Sequence, residues 1–188
     1  MKLANGQYSV TILTESEPSL EGYPIVHICD NLDAKDFYCA RLIKVESAGR
    51  TTYHCALVDL VVSSAVPYAV LEDHVLAVLL FRTILQIDLN TKAILRCVDC
   101  ENMGGLEEIY SIDGGYLIKG EGKIFRYDQA LRQVWWFCGR DIFARPTAEK
   151  CFWIENNLIH CRDWEGWHYV LDMDRNLISE TKECVSGN

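Results

Sequence analysis

The stretch Ser111–Phe137, SIDGGYLIKGEGKIFRYDQALRQVWWF, carries the pattern that decides the fold of this chain. Apolar runs alternate in it with short turns: Gly114-Gly115 separates the first two runs, and Asp128 opens the turn before the last one. Glycine suits the left-handed backbone positions of tight hairpin turns, and an aspartate carboxylate can accept backbone N–H bonds two or three residues ahead. The stretch therefore predicts antiparallel strands joined by tight turns.

Two weaker copies of this pattern lie on either side of it. In every copy, an apolar strand, a polar turn and a second apolar strand precede an aspartate that follows an apolar residue. These aspartates recur roughly every 40 residues, at Asp88, Asp128 and Asp172. A further strand follows each of them. The sequence therefore predicts a mostly β protein with antiparallel four-stranded, blade-like units at about residues 66–105, 106–147 and 148–188.

The N-terminal segment, residues 1–65, has no clear repeat but is also rich in strand-forming residues. Ser47–Arg50 is a four-residue loop with a late glycine, and it predicts a hairpin between the strands Phe37–Glu46 and Thr51–Val62. The segment could form a degenerate fourth unit. At 188 residues, we expect the whole chain to be one compact domain.

The segment Tyr116–Asp128, continued by Val134-Trp135-Trp136, resembles a blade of the PQQ-like/WD40-like β-propeller repeat. That repeat combines a glycine turn, a strand ending in an apolar residue and an aspartate, a second turn, and a strand closing on tryptophan, for which Trp136 stands here. The resemblance covers about residues 66–182. It implies a propeller-like scaffold but no cofactor, because this repeat supports many functions.

The three copies depart from that repeat at two positions. The turn glycine expected four residues after each aspartate is replaced, and so is the closing tryptophan of the outer copies. The residues found are Lys92, Arg132 and Asn176 at the first position, and Arg96 and Glu180 at the second. Three units are also fewer than the about four to eight blades of a closed propeller. A ring would need the N-terminal segment or a second chain, and an open curved sheet array is the alternative.

The charge of the chain restricts its partners. The net charge is −9, the acidic excess is present in the N-terminal segment and in the repeats, and no basic stripe interrupts it. Lys and Arg contacts with phosphates dominate the affinity for nucleic acids and anionic membranes, so we expect neither as a partner. The most apolar run, Val75–Phe81, is far shorter than the about 20 residues of a membrane span. A basic protein partner is permitted.

Cysteine usage indicates a reducing compartment. The chain has nine cysteines, an odd number, and Met1–Gln7 lacks the apolar core of a signal peptide. So many unpaired thiols would be a hazard in an oxidising compartment, and we therefore expect a cytoplasmic protein. The sequence from Cys97 to Cys100 is a lone C-x-x-C. Because it has no second pair, these two cysteines are only weak candidates for a metal site, and buried or loop thiols are expected instead.

Motifs for catalysis are missing from the sequence. The five histidines lie in or beside predicted strands without a nucleophile motif. Gly120-Glu121-Gly122 is better interpreted as a hairpin turn than as a phosphate-binding loop, because no helix follows it. We therefore expect no catalytic residue and no cofactor. A small hydrolase with a cysteine and a histidine brought together from distant strands is the alternative.

The segment Arg162–His168, RDWEGWH, is the strongest candidate for a binding surface. It places Trp164 and Trp167 in a polar, turn-like insertion, together with Arg162 and Asp163. Exposed tryptophans within a polar rim are typical of protein-binding hot spots. The alternative is that both rings fold over sheet edges as a cap.

The adjacent Trp135 and Trp136 are a second tryptophan pair. Neighbouring side chains of a strand point to opposite faces, so one ring is expected inside and the other outside. Trp135 is therefore a further candidate binding residue. In the alternative interpretation Trp136 lies in the core.

These observations favour a non-enzymatic cytoplasmic protein that binds a protein partner. In a more specific version the partner is basic, as for an immunity or inhibitor protein, because acidic charge accelerates such an encounter. One alternative is a structural role in which blades of different chains pair and the protein is a homo-oligomer. The other is the small hydrolase.

Overall fold

The computed structural model describes residues 1–28, 38–60, 62–100, 104–144 and 150–182. These residues form β-strands joined by turns and loops, and none of them lies in a helix, so none of them forms a helix long enough to span a membrane. The strands are β1 (Lys2–Ala4), β2 (Tyr8–Ser16), β3 (Ile25–Ile28), β4 (Cys39–Ser47), β5 (Arg50–Asp59), β6 (Ala69–Glu72), β7 (Val75–Leu79), β8 (Thr83–Asp88), β9 (Ala93–Asp99), β10 (Leu106–Ile112), β11 (Gly115–Gly120), β12 (Ile124–Asp128), β13 (Gln133–Phe137), β14 (Phe152–Glu155), β15 (Leu158–Arg162), β16 (Trp167–Asp172) and β17 (Leu177–Lys182).

The strands form four sheets. Sheet I has the order β1-β2-β4-β5-β3, in which β3 runs parallel to β5 and the other pairs are antiparallel. Sheets II, III and IV are antiparallel and take their strands in chain order: β6–β9, β10–β13 and β14–β17. The predictions of a mostly β protein with four-stranded antiparallel units are therefore confirmed. The predicted hairpin is present as β4–β5; Phe37, the predicted start of its first strand, lies outside the described residues.

The sheets pack face to face in chain order. One buried cluster joins sheets I, II and III, and a second joins sheets III and IV. Strand β11 shows how alternation produces this: Tyr116 and Ile118 belong to the first cluster, whereas Leu117 belongs to the second. The first strands β6 and β10 contact one another on the inner side, whereas the last strand β17 is exposed along its whole length. This arrangement is propeller-like.

Each repeat closes its last hairpin with the predicted aspartate turn. Asp88 Oδ1 accepts hydrogen bonds from the backbone N–H groups two and three residues ahead, and Asp128 Oδ1 and Asp172 Oδ1 from those two and four residues ahead. One non-glycine residue of each turn has a positive φ: Lys92, Leu131 and Arg175. The carboxylate bonds hold the turn closed, which explains how these repeats dispense with a turn glycine.

These carboxylates make the stability of the fold depend on pH. Hydrogen bonds from the Arg132 backbone and side chain hold the pKa of Asp128 below its ordinary value of about 3.9. A depressed folded-state pKa means that the contribution to stability is present above the unfolded-state pKa and is lost as the pH falls through the folded-state pKa. We expect the difference in unfolding free energy between wild type and Asp128→Asn to be largest near neutral pH and to shrink below about pH 4. Urea unfolding across this pH range measures it, and a difference that stays constant would contradict it.

The β11–β12 pair of sheet III depends on Gly115, which has a φ of +148°. A Cβ atom there would stand 2.7 Å from the Asp128 Cα and closer still to the Tyr127 carbonyl oxygen, both of which are backbone atoms of the neighbouring strand. The preceding Gly114 also has a positive φ, but a Cβ there would meet only Arg126 Nη2 at 3.6 Å. The two glycines therefore serve different needs. Gly114 allows the positive φ of the turn, whereas Gly115 allows the close approach of β11 and β12.

Sheets I and II are joined by a buried arginine. Arg41 of β4 is 0% exposed and donates hydrogen bonds to Leu79 O (2.7 Å), Thr14 Oγ1 (2.7 Å) and Ser63 O (2.9 Å). Its guanidinium carbon lies 3.6 Å from the centroid of the Tyr68 ring. Burial lowers the pKa of Arg41 to about 10, so it remains charged at neutral pH.

Backbone hydrogen bonds also connect each repeat to the next. Leu106 N, at the start of sheet III, donates to Phe81 O of sheet II (2.7 Å). Phe143 N, in the connection to sheet IV, donates to Glu121 O in the β11–β12 turn (2.7 Å). The antiparallel pairing of β11 with β12 confirms that Gly120-Glu121-Gly122 is a hairpin turn. The segment that connects two sheets is thus hydrogen-bonded to a turn of the preceding sheet.

Candidate functional site

The β15–β16 turn, Asp163–Gly166, presents an exposed tryptophan on a fixed backbone. Asp163 is 0% exposed; its Oδ1 accepts a bond from Trp167 N (2.9 Å) and its Oδ2 from the Tyr169 hydroxyl (2.8 Å). Trp164 N donates to Ile142 O (2.8 Å), which ties the turn to the preceding connection. The Trp164 side chain is 50% exposed. The buried carboxylate of Asp163 therefore fixes the conformation of the turn by its hydrogen bonds, and the Trp164 side chain is exposed on the surface of the turn.

The hydroxyl of Tyr169 completes the support of this turn. Burial, together with the hydrogen bond to Asp163, raises the pKa of Tyr169, so the phenol stays protonated and donates to the carboxylate. The same oxygen accepts a bond from Arg140 N (3.0 Å). The turn and the β13–β14 connection are thereby held by one side chain.

Trp167 opens β16 and is half-buried against the second core cluster. Two cations lie over its ring: the Arg140 guanidinium carbon is 3.8 Å and the Lys182 ammonium 5.4 Å from the ring centroid. Arg140 is also paired with Glu180, with Nε 2.9 Å from Oε1. The surface around Trp167 therefore combines an aromatic ring with two cations, one of which is neutralised by Glu180.

Arg162 lies on a different surface from Trp167. Its guanidinium carbon is 5.0 Å from the ring centroid of Trp153. In β15 and β16, the side chains of Cys161 and Tyr169 belong to the core cluster shared with sheet III, so the alternating neighbours Arg162 and His168 face the other way. The structure thus brings Asp163, Trp164 and Trp167 together in one turn and separates Arg162 from them.

The second tryptophan pair has one ring inside and one outside, as expected, but the interpretation with Trp136 in the core is wrong. Trp135 is 9% exposed, packs in the cluster between sheets III and IV, and donates from Nε1 to Met173 O (3.0 Å). Trp136 is 41% exposed, with Lys123 Nζ 4.9 Å from its centroid. Its ring shares the face of Phe125 but stands on the outer strand. Trp135 therefore has a partner inside the fold, and its role in binding stays a prediction.

The two cysteines of the C-x-x-C have different surroundings. Cys97 is exposed on β9, with Sγ 4.0 Å from His27 Nδ1, whereas Cys100 is buried and accepts a hydrogen bond from the Tyr127 hydroxyl (3.2 Å). Burial raises the pKa of Cys100 to about 11. No group of three or more His, Cys, Asp or Glu side chains in the described part of the chain has the arrangement of a metal site.

The buried thiols are poor candidates for the nucleophile of a hydrolase. Burial raises the pKa of Cys55 to about 11, and it raises that of Cys161 as well. The thiolate, not the thiol, is the nucleophile, so a raised pKa lowers reactivity. Cys151, which is half-buried near Lys119, also has its pKa raised by burial.

Acidic turns occupy the end of the sheets opposite to Trp164. Strand β15 runs from the Glu155–Asn157 turn to the Trp164 turn, so these two turns lie at opposite ends. The end with the Glu155–Asn157 turn also carries the aspartate turns. A cavity of about 730 Å³ between sheets III and IV lies there and is lined in part by Asp113, Asp172 and Asp174. The acidic charge and the exposed tryptophan are therefore two separate surfaces.

Sequence reasoning missed one further group, a stack of three rings on sheet IV. Trp153, His160 and His168 lie together on the face that carries Arg162. Alternation within β15 and β16 is the signal that could have found it, but it had to be combined with the pairing of three strands.

Comparison with known proteins identifies the fold but no family. No protein-family model and no curated protein sequence matches the chain. Among solved structures, it is similar to Raptor from Chaetomium thermophilum (TM-score 0.54, 14% identity, 81% of this chain and 15% of Raptor). It is also similar to BamB from Moraxella catarrhalis (TM-score 0.52, 11% identity, 97% of this chain and 63% of BamB). A computationally designed protein, Ika8, matches 96% of this chain over 60% of its own length (TM-score 0.52, 12% identity).

These similarities define the class of the fold. BamB is a PQQ-like β-propeller and Raptor has a WD40 fold. At such low identities only the architecture is shared. The chain has a propeller-like fold.

Proposed function

We propose that this protein is a non-enzymatic interaction module that anchors a protein partner on Trp164. The observation that carries the proposal is a half-exposed indole on a turn fixed at three points: two bonds to the Asp163 carboxylate and one from Trp164 N to Ile142 O. Tryptophan dominates many hot spots because it buries a large area when it enters a partner's pocket. A fixed turn pays little ordering entropy on binding, which favours affinity.

The charges around Trp164 and at the opposite end of the sheets bear on the chemistry of the proposed partner. The neighbouring Trp167 carries Lys182 and the Glu180-paired Arg140 over its ring, so a segment with an apolar side chain and one acidic group beside it fits this end. The acidic turns at the opposite end would favour the approach of a basic partner, as in the immunity or inhibitor hypothesis.

The odd number of cysteines supports a reducing compartment such as the cytoplasm.

Selection from a displayed library of random linear peptides tests the proposal. We expect peptides selected on the full wild-type chain to bind Trp164→Ala about 10–30-fold more weakly, because removing a hot-spot tryptophan costs about 2 kcal/mol. The turn keeps its shape in this variant, since Asp163 and the backbone bond remain. Fluorescence polarisation with the selected peptides gives the affinities.

Val134→Ala is the matched control, because Val134 is a large exposed apolar residue on an outer strand away from the turn. Its affinities are expected to equal those of wild type. Peptides that bind Trp164→Ala as tightly as wild type would contradict the proposal. The charge of the selected peptides distinguishes an acidic from a basic partner.

A structural role through pairing of chains is the second candidate. Strand β17 is an edge strand, all six of its residues are exposed, and they include Leu177 and Ile178. Such an edge can pair with another strand. A monomer at high concentration in sedimentation equilibrium would contradict this role.

A further inference from the structure

The face of sheet IV directed away from sheet III carries two histidines whose ring nitrogens face each other. His160 of β15 is opposite Trp153 on one side and Val170 on the other, and His168 of β16 is opposite Arg162. His160 and His168 are therefore diagonal neighbours across the β15–β16 pair. These two nitrogens form a hydrogen bond, with His160 Nδ1 3.3 Å from His168 Nε2, and the tautomers of the rings decide which one donates.

This distance suits two ligands of one metal ion. Zinc binds imidazole nitrogens at about 2.0–2.1 Å with tetrahedral geometry, which places two nitrogens about 3.3–3.4 Å apart. The hydrogen-bonded nitrogens, at 3.3 Å, are therefore also at the spacing of two ligands of a tetrahedral cation, which would replace the shared proton. Other borderline divalent cations that bind imidazole would compete for the same nitrogens.

Trp153 holds the two rings in place. Its centroid is 4.8 Å from that of His160 with an interplanar angle of 7°, and 5.3 Å from that of His168 with an angle of 28°. Packing on the indole restricts ring rotation, so the nitrogens keep their spacing before a cation arrives. Holding ligands in the bound geometry reduces the entropy lost on binding.

We propose that His160 Nδ1 and His168 Nε2 form a binding site for zinc or a similar divalent cation. The two protein ligands occupy two of four tetrahedral positions, and water fills the others. No third His, Cys, Asp or Glu of the described residues completes the set, so the site is open and can accept a ligand from another molecule. This site is independent of the Trp164 surface.

The protons balance without an external base. A neutral imidazole carries one proton on one of its two nitrogens and has a lone pair on the other. In the cation-free pair, one ring carries its proton on the nitrogen that faces the other ring. When the cation binds, this proton leaves for solvent and the ring takes up a proton on its other nitrogen, so both facing nitrogens offer lone pairs and two neutral rings release no net proton. Arg162, the cation over Trp153, opposes a second positive charge on this face and keeps the affinity moderate.

Isothermal titration calorimetry with zinc tests the site. The sample is the full chain without an affinity tag, and Cys97 and Cys138, two exposed thiols that could also bind zinc, are replaced by serine. We expect one zinc per chain in this background. His160→Gln and His168→Gln should each weaken binding at least about tenfold, because each removes one of only two protein ligands.

His54→Gln is the matched control, since His54 is an exposed histidine on sheet I whose Nε2 contacts Gly22 O. Its zinc affinity should equal that of the background. Nitrogen NMR of the background protein, which needs no histidine variant, should show zinc-induced shifts at His160 Nδ1 and His168 Nε2. Absence of zinc binding, equal binding by the three glutamine variants, or unshifted signals of both imidazoles would each overturn the proposal.

Discussion

Gly115→Ala is expected to lower the free energy of unfolding by about 3–5 kcal/mol, because overpacking and backbone strain each cost about 1–3 kcal/mol. The new methyl group would press on the Tyr127 carbonyl and on Asp128 Cα. Both are backbone atoms of β12, which cannot move aside as a flexible side chain would. The β11–β12 pair would have to separate, and it lies in the middle of sheet III. Urea unfolding followed by tryptophan fluorescence measures the change.

The adjacent Gly114→Ala is the matched control. It introduces the same methyl group at a positive φ of +71°, but the nearest atom, Arg126 Nη2, is 3.6 Å away, an ordinary contact. Only the backbone strain remains, and we expect a loss of about 1 kcal/mol. Equal losses for the two variants would show that the close approach of β12 does not matter.

Arg41→Met is expected to lower the free energy of unfolding by about 3–5 kcal/mol, because buried acceptors left without a donor each cost about 1–3 kcal/mol. The acceptors are the buried Leu79 O and the partly buried Ser63 O, and the stacking on Tyr68 is lost with them. Methionine has a similar length, so the loss reports hydrogen bonding and charge more than an empty cavity. Thermal and urea unfolding of the variant give the value.

Arg132→Met is the control for this substitution. The Arg132 side chain is 82% exposed and pairs with Asp128 at 2.7 Å at the surface. Solvent screens such a pair, so we expect little change in stability. If Arg41→Met were equally mild, the junction between sheets I and II would not depend on the buried guanidinium.

Local chemistry explains why the repeats were predictable. The Asp128 turn and the Gly114-Gly115 hairpin each depend on residues within five positions of one another, so their residue types identify them. The parallel pairing of β3 with β5 was not predictable, because it joins segments that no turn connects. Sheet II, the least glycine-rich repeat, was still found from its spacing.

The candidate site was predicted only in part, for a reason of register. Trp164 is exposed as its polar turn indicated, but Asp163 looked like a surface residue and is buried, because the turn needs an internal acceptor. Trp135 and Trp136 pair in regular register with Arg126 and Phe125, and it is this pairing, which the sequence does not show, that decides which of the two rings faces inward. The histidine pair required the register of β15 and β16 as well.

The backbone bonds between successive sheets have a consequence for how this protein can change. Leu106 N donates to Phe81 O, and Phe143 N donates to Glu121 O. Sheet III and the connection into sheet IV therefore each use a backbone acceptor of the preceding sheet. In a solenoid, stability is the sum of the intrinsic stabilities of the repeats and of the interfaces between neighbouring repeats. Here, deletion or duplication of one sheet would leave donors and acceptors of its neighbours unpaired. Removing one sheet would therefore expose backbone hydrogen-bonding groups of the neighbouring sheet as well as apolar surface.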